Sequence, residues 1–323
     1  MVTNILFNRE STCDEVASHF ILITGVSPNS LGEAMSYALV KHHPESLIFL
    51  TRTINKAEEV IAAIQAKSPA IETRFHVIQV DLSLPQSIRH AAAEIQSITS
   101  KIDIMINNAG VMALPERTLA ETGIEMQLAT NFLGHFYLTK LLMPQLIAGE
   151  GRSRVVNVVS GAFMIQPFRF DDYNFDGDKG IPPEQRPDIE TAEKLGLFGL
   201  EELGDKYVPF LAYAQSNTAS MLFTRGLNEG LARREILAFS TAPGVVVTEL
   251  QRHLPPDFRN PKGFYKTAGQ GAASFLVAAL DPNLESQPGA FINEAQLEET
   301  VPHVESLELA RKIWQLAETW TEM

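Results

Sequence analysis

Residues 19–43 read HFILITGVSPNSLGEAMSYALVKHH, and this stretch decides the fold class. The apolar run at 19–24 predicts a buried β-strand, and the segment at 32–43 predicts an α-helix. The turn between them, TGVSPNSLG at 24–32, contains two glycines. A glycine in such a turn lets the backbone approach a pyrophosphate, which the N-terminus of the following helix then stabilises.

The same alternation of strand and helix continues along the chain. Further strands are expected at 46–51, 74–81, 102–107, 154–160 and 235–241, and further helices at 55–68, 85–98 and 123–148. Strands that are apolar on both faces are typical of a parallel sheet with helices on each side. The sequence therefore predicts an α/β fold with a doubly wound parallel sheet, the Rossmann fold.

The chain is expected to form a single domain at 19–323, after an N-terminal extension at 1–18. The stretch 165–211 is rich in Asp, Glu, Gly and Pro, and we interpret it as a long insertion or substrate lid. The segment 305–321 predicts a C-terminal helix with one apolar face, which favours packing on the core over binding a partner. That face comprises Ala310, Ile313, Trp314, Ala317 and Trp320.

The composition restricts the class of protein. The chain has 323 residues, a net charge of −13 and one cysteine. An acidic chain of this kind is not expected to bind nucleic acid, and a lone cysteine cannot form an internal disulfide. Charges interrupt the first twenty residues, and no apolar run reaches the ~18 residues of a membrane span. We therefore expect a cytoplasmic protein with no membrane span.

Four residues of the glycine turn bear on nucleotide binding. Gly25 and Gly32 are the anchors, whereas Asn29 and Ser30 stand where a further glycine is expected. A purely steric role for the glycines stays open at this point, because many strand–turn–helix junctions carry glycine for packing alone.

The ends of the second and third strands indicate which dinucleotide binds. An NAD site usually places Asp or Glu after the second strand, but this chain has Thr51 and Arg52, and an arginine accommodates a 2′-phosphate. The sequence thus favours NADP(H), with a solvent-facing arginine as the alternative. Asp81 is expected to hold the adenine amino group or to cap the following helix, and the two roles are compatible.

Seven motifs occur in order along the chain. They are TGVSPNSLG at 24–32, VDLS at 80–83, NNAG at 107–110, NFLGHF at 131–136, VVNVVS at 155–160, YAQSN at 213–217 and PGVVVT at 243–248. In this combination the chain resembles the short-chain dehydrogenase/reductase superfamily over roughly residues 19–320. The segments FDDYNF at 170–175 and AYAQS at 212–216 are similar to its retinol-dehydrogenase-like branch.

The resemblance implies an NADP(H) cofactor and the residues that contact it. Thr248 matches a position that contacts the nicotinamide carboxamide, and the small residues of NNAG leave room for the adenine-side ribose. The full set is Gly25, Ser27, Asn29, Ser30, Leu31, Gly32, Arg52, Asp81, Leu82, Asn108, Ala109, Gly110, Tyr213, Pro243, Gly244, Val246 and Thr248.

The resemblance also implies the catalytic residues. Ser160 would hold the substrate oxygen, Tyr213 would give or take the proton, and Asn131 would orient a water relay. Taken singly, Ser160 could be a hydroxyl at a strand end and Tyr213 a core aromatic, but their joint placement favours an active site. The family has a lysine one helical turn after the tyrosine, and this chain has Asn217 there.

Asn217 changes the expected chemistry. The lysine of the family binds the nicotinamide ribose and lowers the pKa of the tyrosine. A unit charge at ~5 Å with an effective dielectric constant of ~20 is worth roughly 3 kcal/mol, or about two pKa units. An asparagine can hydrogen-bond the ribose but carries no charge. No other lysine is placed by the sequence to replace it, although Lys206 in the lid region stays open as a candidate.

Three functions are compatible with this pattern. A reductase is favoured, because carbonyl reduction needs a protonated Tyr213, which is its ordinary state near neutral pH. A redox-neutral enzyme on the same scaffold, such as a dehydratase, isomerase or cyclase, is the second. A catalytically degenerate member that only binds the nucleotide is the third.

Substrate, metal and assembly are less fully specified. Phe163, Met164 and Phe168 predict a hydrophobic pocket for a bulky, lipophilic or natural-product-like substrate of secondary metabolism, although loop aromatics often only pack a lid down. No metal site is expected, since the acidic segment at 171–176 lies in the lid. Family members often form homodimers through the helices that carry Asn131 and Tyr213, and here the long insertion would stand against that.

Overall fold

The protein is described by a computed structural model that covers residues 16–149, 152–177, 180–194, 206–230, 236–254 and 265–322. Most of the expected N-terminal extension at 1–18 and two parts of the expected lid, 178–179 and 195–205, lie outside the described residues.

The centre of the protein is one eight-stranded sheet. Its strands in chain order are β1 (Phe20–Thr24), β2 (Ser46–Thr51), β3 (Arg74–Gln79), β4 (Ile104–Asn107), β5 (Ser153–Val158), β6 (Ile236–Ala242), β7 (Phe291–Asn293) and β8 (Gln296–Glu298). The spatial order is β3-β2-β1-β4-β5-β6-β7-β8, and only the β7–β8 pair is antiparallel. The strand order reverses between β1 and β4, and ligands of such sheets bind at the carboxyl ends of the strands beside this point.

Helices cover both faces of the sheet, which confirms the predicted doubly wound fold. The α-helices are α1 (Leu31–Leu39), α2 (Ile54–Lys67), α3 (Pro85–Ile98), α4 (Met126–Leu128), α5 (Gly134–Leu141), α6 (Met143–Ile147), α7 (Ile189–Lys194), α8 (Pro209–Gly230), α9 (Ala268–Leu280), α10 (Pro302–Glu305) and α11 (Leu307–Glu322). Buried residues of α1, α2 and α9 form the core on one face, and those of α3, α5, α8 and α11 form the core on the other. Each core encloses apolar side chains of the central strands, which explains why those strands are apolar on both sides.

The predicted helix at 123–148 is divided. A π-helical turn at Ala129–Leu133 separates α4 from α5, and α6 follows as a short separate helix. Turns of this kind are frequent at functional sites, and this one carries Asn131.

The C-terminal helix α11 packs on α8, the helix that carries Tyr213. The apolar face expected from the sequence is buried, and the Trp314 ring lies with its centroid 5.0 Å from that of Phe136 in an edge-to-face contact. A Cβ atom at Gly226 of α8 would lie 3.0 Å from the Trp314 ring, so the two helices meet closely. One side of α8 is therefore covered by the chain's own C-terminal helix.

The expected lid is only partly a surface segment. Phe168 and Phe175 are buried, and the Arg169 guanidinium lies within the protein, where it forms an ion pair with Asp172. The Arg169 guanidinium also stacks over the Phe175 ring at 4.1 Å. The stretch 165–175 therefore buries several of its side chains beside α8, whereas Asp171 and Asp176 are exposed.

Candidate active site

A cleft of about 1020 Å³ runs along the carboxyl ends of the central strands. It is lined by the segments that follow β1, β2, β3, β4, β5 and β6, and by residues of α8. Of the residues predicted from the sequence, Asn29, Gly32, Phe163 and Phe168 are absent from its described lining, and all the others line it. The motifs that are dispersed along the chain thus meet in one cavity.

The two glycines of the first turn have different roles. Gly25 has a φ of +77°, and a Cβ atom there would lie 2.7 Å from Cα of Ala109. At Gly32 a Cβ atom would lie 2.6 Å from the carbonyl oxygen of Gly25. Gly25 therefore shapes the cleft wall beside Ala109, whereas Gly32 permits close packing of α1 on the turn.

The structure shows why Asn29 and Ser30 can stand where glycine was expected. Asn29 adopts the left-handed conformation with a φ of 59°, which asparagine tolerates better than most residues. Ser30 has an extended backbone and is the N-cap of α1, where its hydroxyl accepts the backbone N–H of Glu33.

Two cationic side chains lie at one end of the cleft, next to the carboxyl end of β2. Arg52 is exposed directly after β2, and Lys56 lines the cleft from the first turn of α2. Sequence reasoning missed Lys56, although a basic residue in the first turn of the helix that follows Arg52 is a usable signal. Asp81 stabilises the loop after β3. One of its carboxylate oxygens accepts the backbone N–H of Ser83 at 2.9 Å and the hydroxyl of Ser83 at 2.6 Å.

Asparagines join the strands beneath the cleft. Asn107 on β4 donates from its side-chain amide to the side-chain oxygen of Asn157 on β5 at 2.8 Å. Asn108 donates to the backbone carbonyl of Thr24 at 2.8 Å, at the end of β1. The two asparagines of NNAG thus tie β4 to both of its neighbouring strands.

Ser160 and Tyr213 lie together in the middle of the cleft. The Ser160 hydroxyl accepts the N–H of Ala162 at 3.3 Å, at the start of the 3₁₀ turn Gly161–Met164. Tyr213 is buried, and this burial raises its pKa above the ordinary value of 10.0, while hydrogen bonds with the side chains of Ser160 and Asn217 act in the opposite direction. The Tyr213 hydroxyl is therefore protonated at neutral pH.

Asn217 uses its amide group within the protein. Its side-chain oxygen accepts the backbone N–H of Ser160 at 2.7 Å, and its nitrogen donates to the backbone carbonyl of Tyr213 at 2.8 Å. The side chain is buried, so the bond to Ser160 connects the segment after β5 to α8 in a water-poor environment, and the bond to Tyr213 lies within α8.

Three cationic side chains line the cleft among the described residues, namely Arg52, Lys56 and Arg252. None of them is among the causes of the shifted pKa of Tyr213, which are burial and the hydrogen bonds with Ser160 and Asn217. Lys206, the lysine that the sequence left open as a candidate, is exposed and does not line the cleft, so the structure gives no support to it as a cation beside Tyr213.

Asn131 is held by both ends of its side chain. Its oxygen accepts the N–H of Val111 at 2.8 Å, and its nitrogen donates to the Val111 carbonyl and to the Ser216 hydroxyl, each at 2.9 Å. The backbone carbonyl oxygen of Asn131 lies in the π-helical turn, 2.9 Å from Nδ1 of His135.

The wall beside Tyr213 is apolar, but two of the predicted substrate residues do not form it. Phe163 is fully buried against Phe291, with ring centroids 5.1 Å apart, and Phe168 packs on Phe170 at 4.7 Å. Met164 does line the cleft, because the 3₁₀ turn directs successive side chains in different directions. The remaining apolar lining near Tyr213 comes from other segments and includes Met112, Ala162, Phe210, Leu250 and Leu254.

The residues after β6 close the far side of the cleft. Gly244 has a φ of +74°, and Thr248 caps the 3₁₀ helix Glu249–His253 by accepting the N–H of Leu250 at 3.3 Å. No group of three potential metal-ligating side chains occurs among the described residues. None of the helices described here is both long and apolar enough to cross a bilayer.

Comparison with known proteins finds relatives over most of the chain. The family model "short chain dehydrogenase" matches residues 19–174. "Oxidoreductase fscI" of Fusarium equiseti is 41% identical over 71% of this chain and 88% of that protein. Retinol dehydrogenase 14 of Mus musculus is 28% identical over 92% of this chain and 84% of that protein. The structure of the NADPH-bound carbonyl reductase from chicken fatty liver aligns with a TM-score of 0.62 at 20% identity, covering 88% of this chain and 95% of that one.

Proposed function

Because the chain belongs to the short-chain dehydrogenase family, we propose that this oxidoreductase uses NADP(H) to reduce a carbonyl group of a bulky, lipophilic substrate. The observation that carries the proposal is the protonated Tyr213 hydroxyl beside Ser160 in an otherwise apolar part of the cleft. Proton donation to a carbonyl oxygen needs such a group in its neutral form.

The residues of this chain divide the work between them. Ser160 donates a hydrogen bond to the substrate oxygen, and Tyr213 delivers the proton to the same oxygen. Asn217 holds Ser160 and Tyr213 in fixed positions relative to each other, because its side chain hydrogen-bonds the backbone of each residue. The nicotinamide cofactor, when bound, supplies the hydride.

The residues present fit an NADP(H) molecule. The turn at Gly25 leaves no room for a side chain, and the small residues Ala109 and Gly110 lie opposite it. Arg52 and Lys56 provide two positive charges at the end of β2, where the 2′-phosphate of NADP(H) binds in this fold. The carbonyl reductase with the similar fold was solved with NADPH.

The apolar lining supports a lipophilic substrate. Met112, Ala162, Phe210 and Leu254 come from four separate segments and converge near Tyr213. Such a surface binds an apolar body through burial of its area, and it leaves Ser160 and Tyr213 to orient the one reacting oxygen.

Cofactor binding and turnover test the proposal. We expect the protein to bind NADPH more tightly than NADH, and to consume NADPH when it is given lipophilic aldehydes and ketones. Tyr213→Phe is expected to lower this turnover by roughly 10²- to 10⁴-fold while NADPH affinity stays close to that of the parent. Tyr137→Phe is the matched control, since the Tyr137 hydroxyl bonds Arg89 outside the cleft.

The missing positive charge at Asn217 also supports a second candidate, a redox-neutral dehydratase, isomerase or cyclase. In that case the protein binds NADPH and forms product without net consumption of it. A protein that binds NADPH and transforms no substrate is the catalytically degenerate member. Either of these two results would reject the proposed reductase function.

A further inference from the structure

His135, the second residue of α5, is a buried titratable group that the proposed chemistry does not use. It is 3% exposed, and both ring nitrogens have partners. Nδ1 lies 2.9 Å from the backbone carbonyl oxygen of Asn131, and Nε2 lies 2.9 Å from the hydroxyl oxygen of Thr24. An aromatic side chain that only filled space in the core would need neither of these two polar contacts.

The partners determine where the ring proton lies. The carbonyl oxygen of Asn131 can only accept, so Nδ1 must carry the proton. The Thr24 oxygen already accepts two backbone N–H groups, those of Asn108 and Ala109, each at 2.9 Å. Its own hydrogen then has one available acceptor among these contacts, the unprotonated Nε2 of His135.

The surroundings keep the ring neutral. Burial lowers the pKa of His135 to about 4. A proton on Nε2 would also force a third donor onto the Thr24 oxygen and leave the Thr24 hydrogen without an acceptor. The hydrogen-bond pattern and the burial therefore both favour the neutral ring with its proton on Nδ1.

The ring connects parts of the site that are distant in sequence. Thr24 is the last residue of β1 and precedes Gly25, and Asn108 and Ala109 form the turn after β4. Asn131 lies in the π-helical turn Ala129–Leu133. One imidazole thus joins both strands of the switch point to the turn that carries Asn131.

We propose that His135 is a positioning residue which, as the neutral Nδ1–H tautomer, fixes the Asn131 carbonyl relative to the cofactor-binding turns that follow β1 and β4. The tautomer does not depend on what the protein catalyses. The catalytic consequence rests on the proposed reductase function.

The tautomer is tested directly in the full chain without cofactor or substrate. Nitrogen-15 NMR of the histidine rings distinguishes Nδ1–H, Nε2–H and doubly protonated forms, and the His135 signals are assigned by their loss in a His135→Asn variant. We expect the Nδ1–H form at pH 7. An Nε2–H or doubly protonated ring at pH 7 overturns the proposal, whether or not the protein proves to be a reductase.

Two variants separate the two contacts. The His135→Asn side chain can still donate to the Asn131 carbonyl, because its amide nitrogen lies near the place of Nδ1. The His135→Gln side chain instead reaches the Thr24 hydroxyl. We expect kcat for carbonyl reduction to stay within about threefold of the parent in His135→Asn and to fall roughly tenfold in His135→Gln.

Thermal unfolding and NADPH affinity provide the controls. A residue that only fills space would lower Tm in both variants and leave kcat per folded molecule equal in the two, and this result overturns the positioning role. If the parent reduces no carbonyl, the same comparison is made with Thr24→Val and Thr24→Ser. We then expect NADPH binding to weaken roughly tenfold in the valine variant and to be restored by serine, and equal affinities overturn the proposal.

Discussion

The backbone N–H of Ser160 donates to the side-chain oxygen of Asn217 over 2.7 Å, and this bond fixes the end of β5 to α8. The same amide group donates to the carbonyl of Tyr213 at 2.8 Å. A lysine has no acceptor and could not make the first bond, whereas an aspartate has no donor and could not make the second. Asparagine at position 217 is therefore suited to a structural role that neither lysine nor aspartate could fill in this arrangement.

Substitution of Asn217 by lysine should separate the effect of a positive charge beside Tyr213 from the effect of losing the Asn217 hydrogen bonds. Asn217→Lys adds a positive charge near the Tyr213 hydroxyl, and we expect the pH at which alcohol oxidation rises to fall by about two units. Asn217→Leu is the control, because it removes the same bonds without adding charge. Both variants should show a lower Tm than the parent, since the Ser160 N–H loses its partner. Identical pH profiles for the two variants would exclude the electrostatic explanation.

The raised pKa of Tyr213 predicts different pH profiles for the two directions of the reaction. Reduction uses the protonated hydroxyl, so its kcat/KM should be flat between about pH 6 and 9. Oxidation uses the phenolate, whose fraction increases with pH until the pKa is passed, and burial places that pKa above 10.0. We expect oxidation to rise steadily up to pH 9.5. A plateau below pH 8 would show that another group lowers the pKa.

Much of this site could be predicted because its residues follow buried strands. The apolar run at 46–51 and the amphipathic segment at 85–98 have the predicted bounds in the structure, since burial on both faces and helical period are strong local signals. The carboxyl ends of parallel strands share one edge, which is why Gly25, Arg52 and Ser160, each placed after a predicted strand, line one cleft.

Other features depend on contacts that no local pattern carries. The strands β7 and β8 have three residues each and are defined by pairing with β6 and with each other. The direction of Phe163 is set by one 3₁₀ turn, and the backbone N–H that the Asn217 side chain accepts belongs to Ser160, which follows β5 and is 57 residues away in the chain. Sequence spacing identifies such residues but does not fix what they touch.

Arg52 should determine the choice of cofactor. It is exposed at the end of β2, and Lys56 provides a second charge beside it. We expect Arg52→Ala to weaken NADPH binding by about tenfold or more while NADH binding changes little, because only NADPH has the 2′-phosphate. Dissociation constants from fluorescence titration give the ratio, and Arg89→Ala, which lies outside the cleft, is the charge-matched control. An unchanged ratio for Arg52→Ala would assign the preference to another residue.

A buried carboxylate outside the cleft should make stability depend on pH. Glu125 is fully buried and caps α4, and burial raises its pKa above the ordinary 4.5 despite hydrogen bonds from the N–H groups of Leu128 and Gln127. An acid whose pKa is raised on folding binds more protons in the folded state, so stability is lost as pH rises from about 4.5 through the folded pKa.

Glu125→Gln removes this charge and keeps an oxygen to accept the same two N–H groups. We expect its Tm to exceed that of the parent at pH 7.5, and the difference to shrink as the pH is lowered towards 4, where the parent carboxyl is also neutral. Glu121→Gln is the control, because Glu121 is exposed and should give no such trend. Thermal unfolding of the three proteins between pH 4 and 8 measures the effect. A difference in Tm that is constant with pH would show that Glu125 stays in one protonation state throughout, and that its burial does not affect stability by the route described.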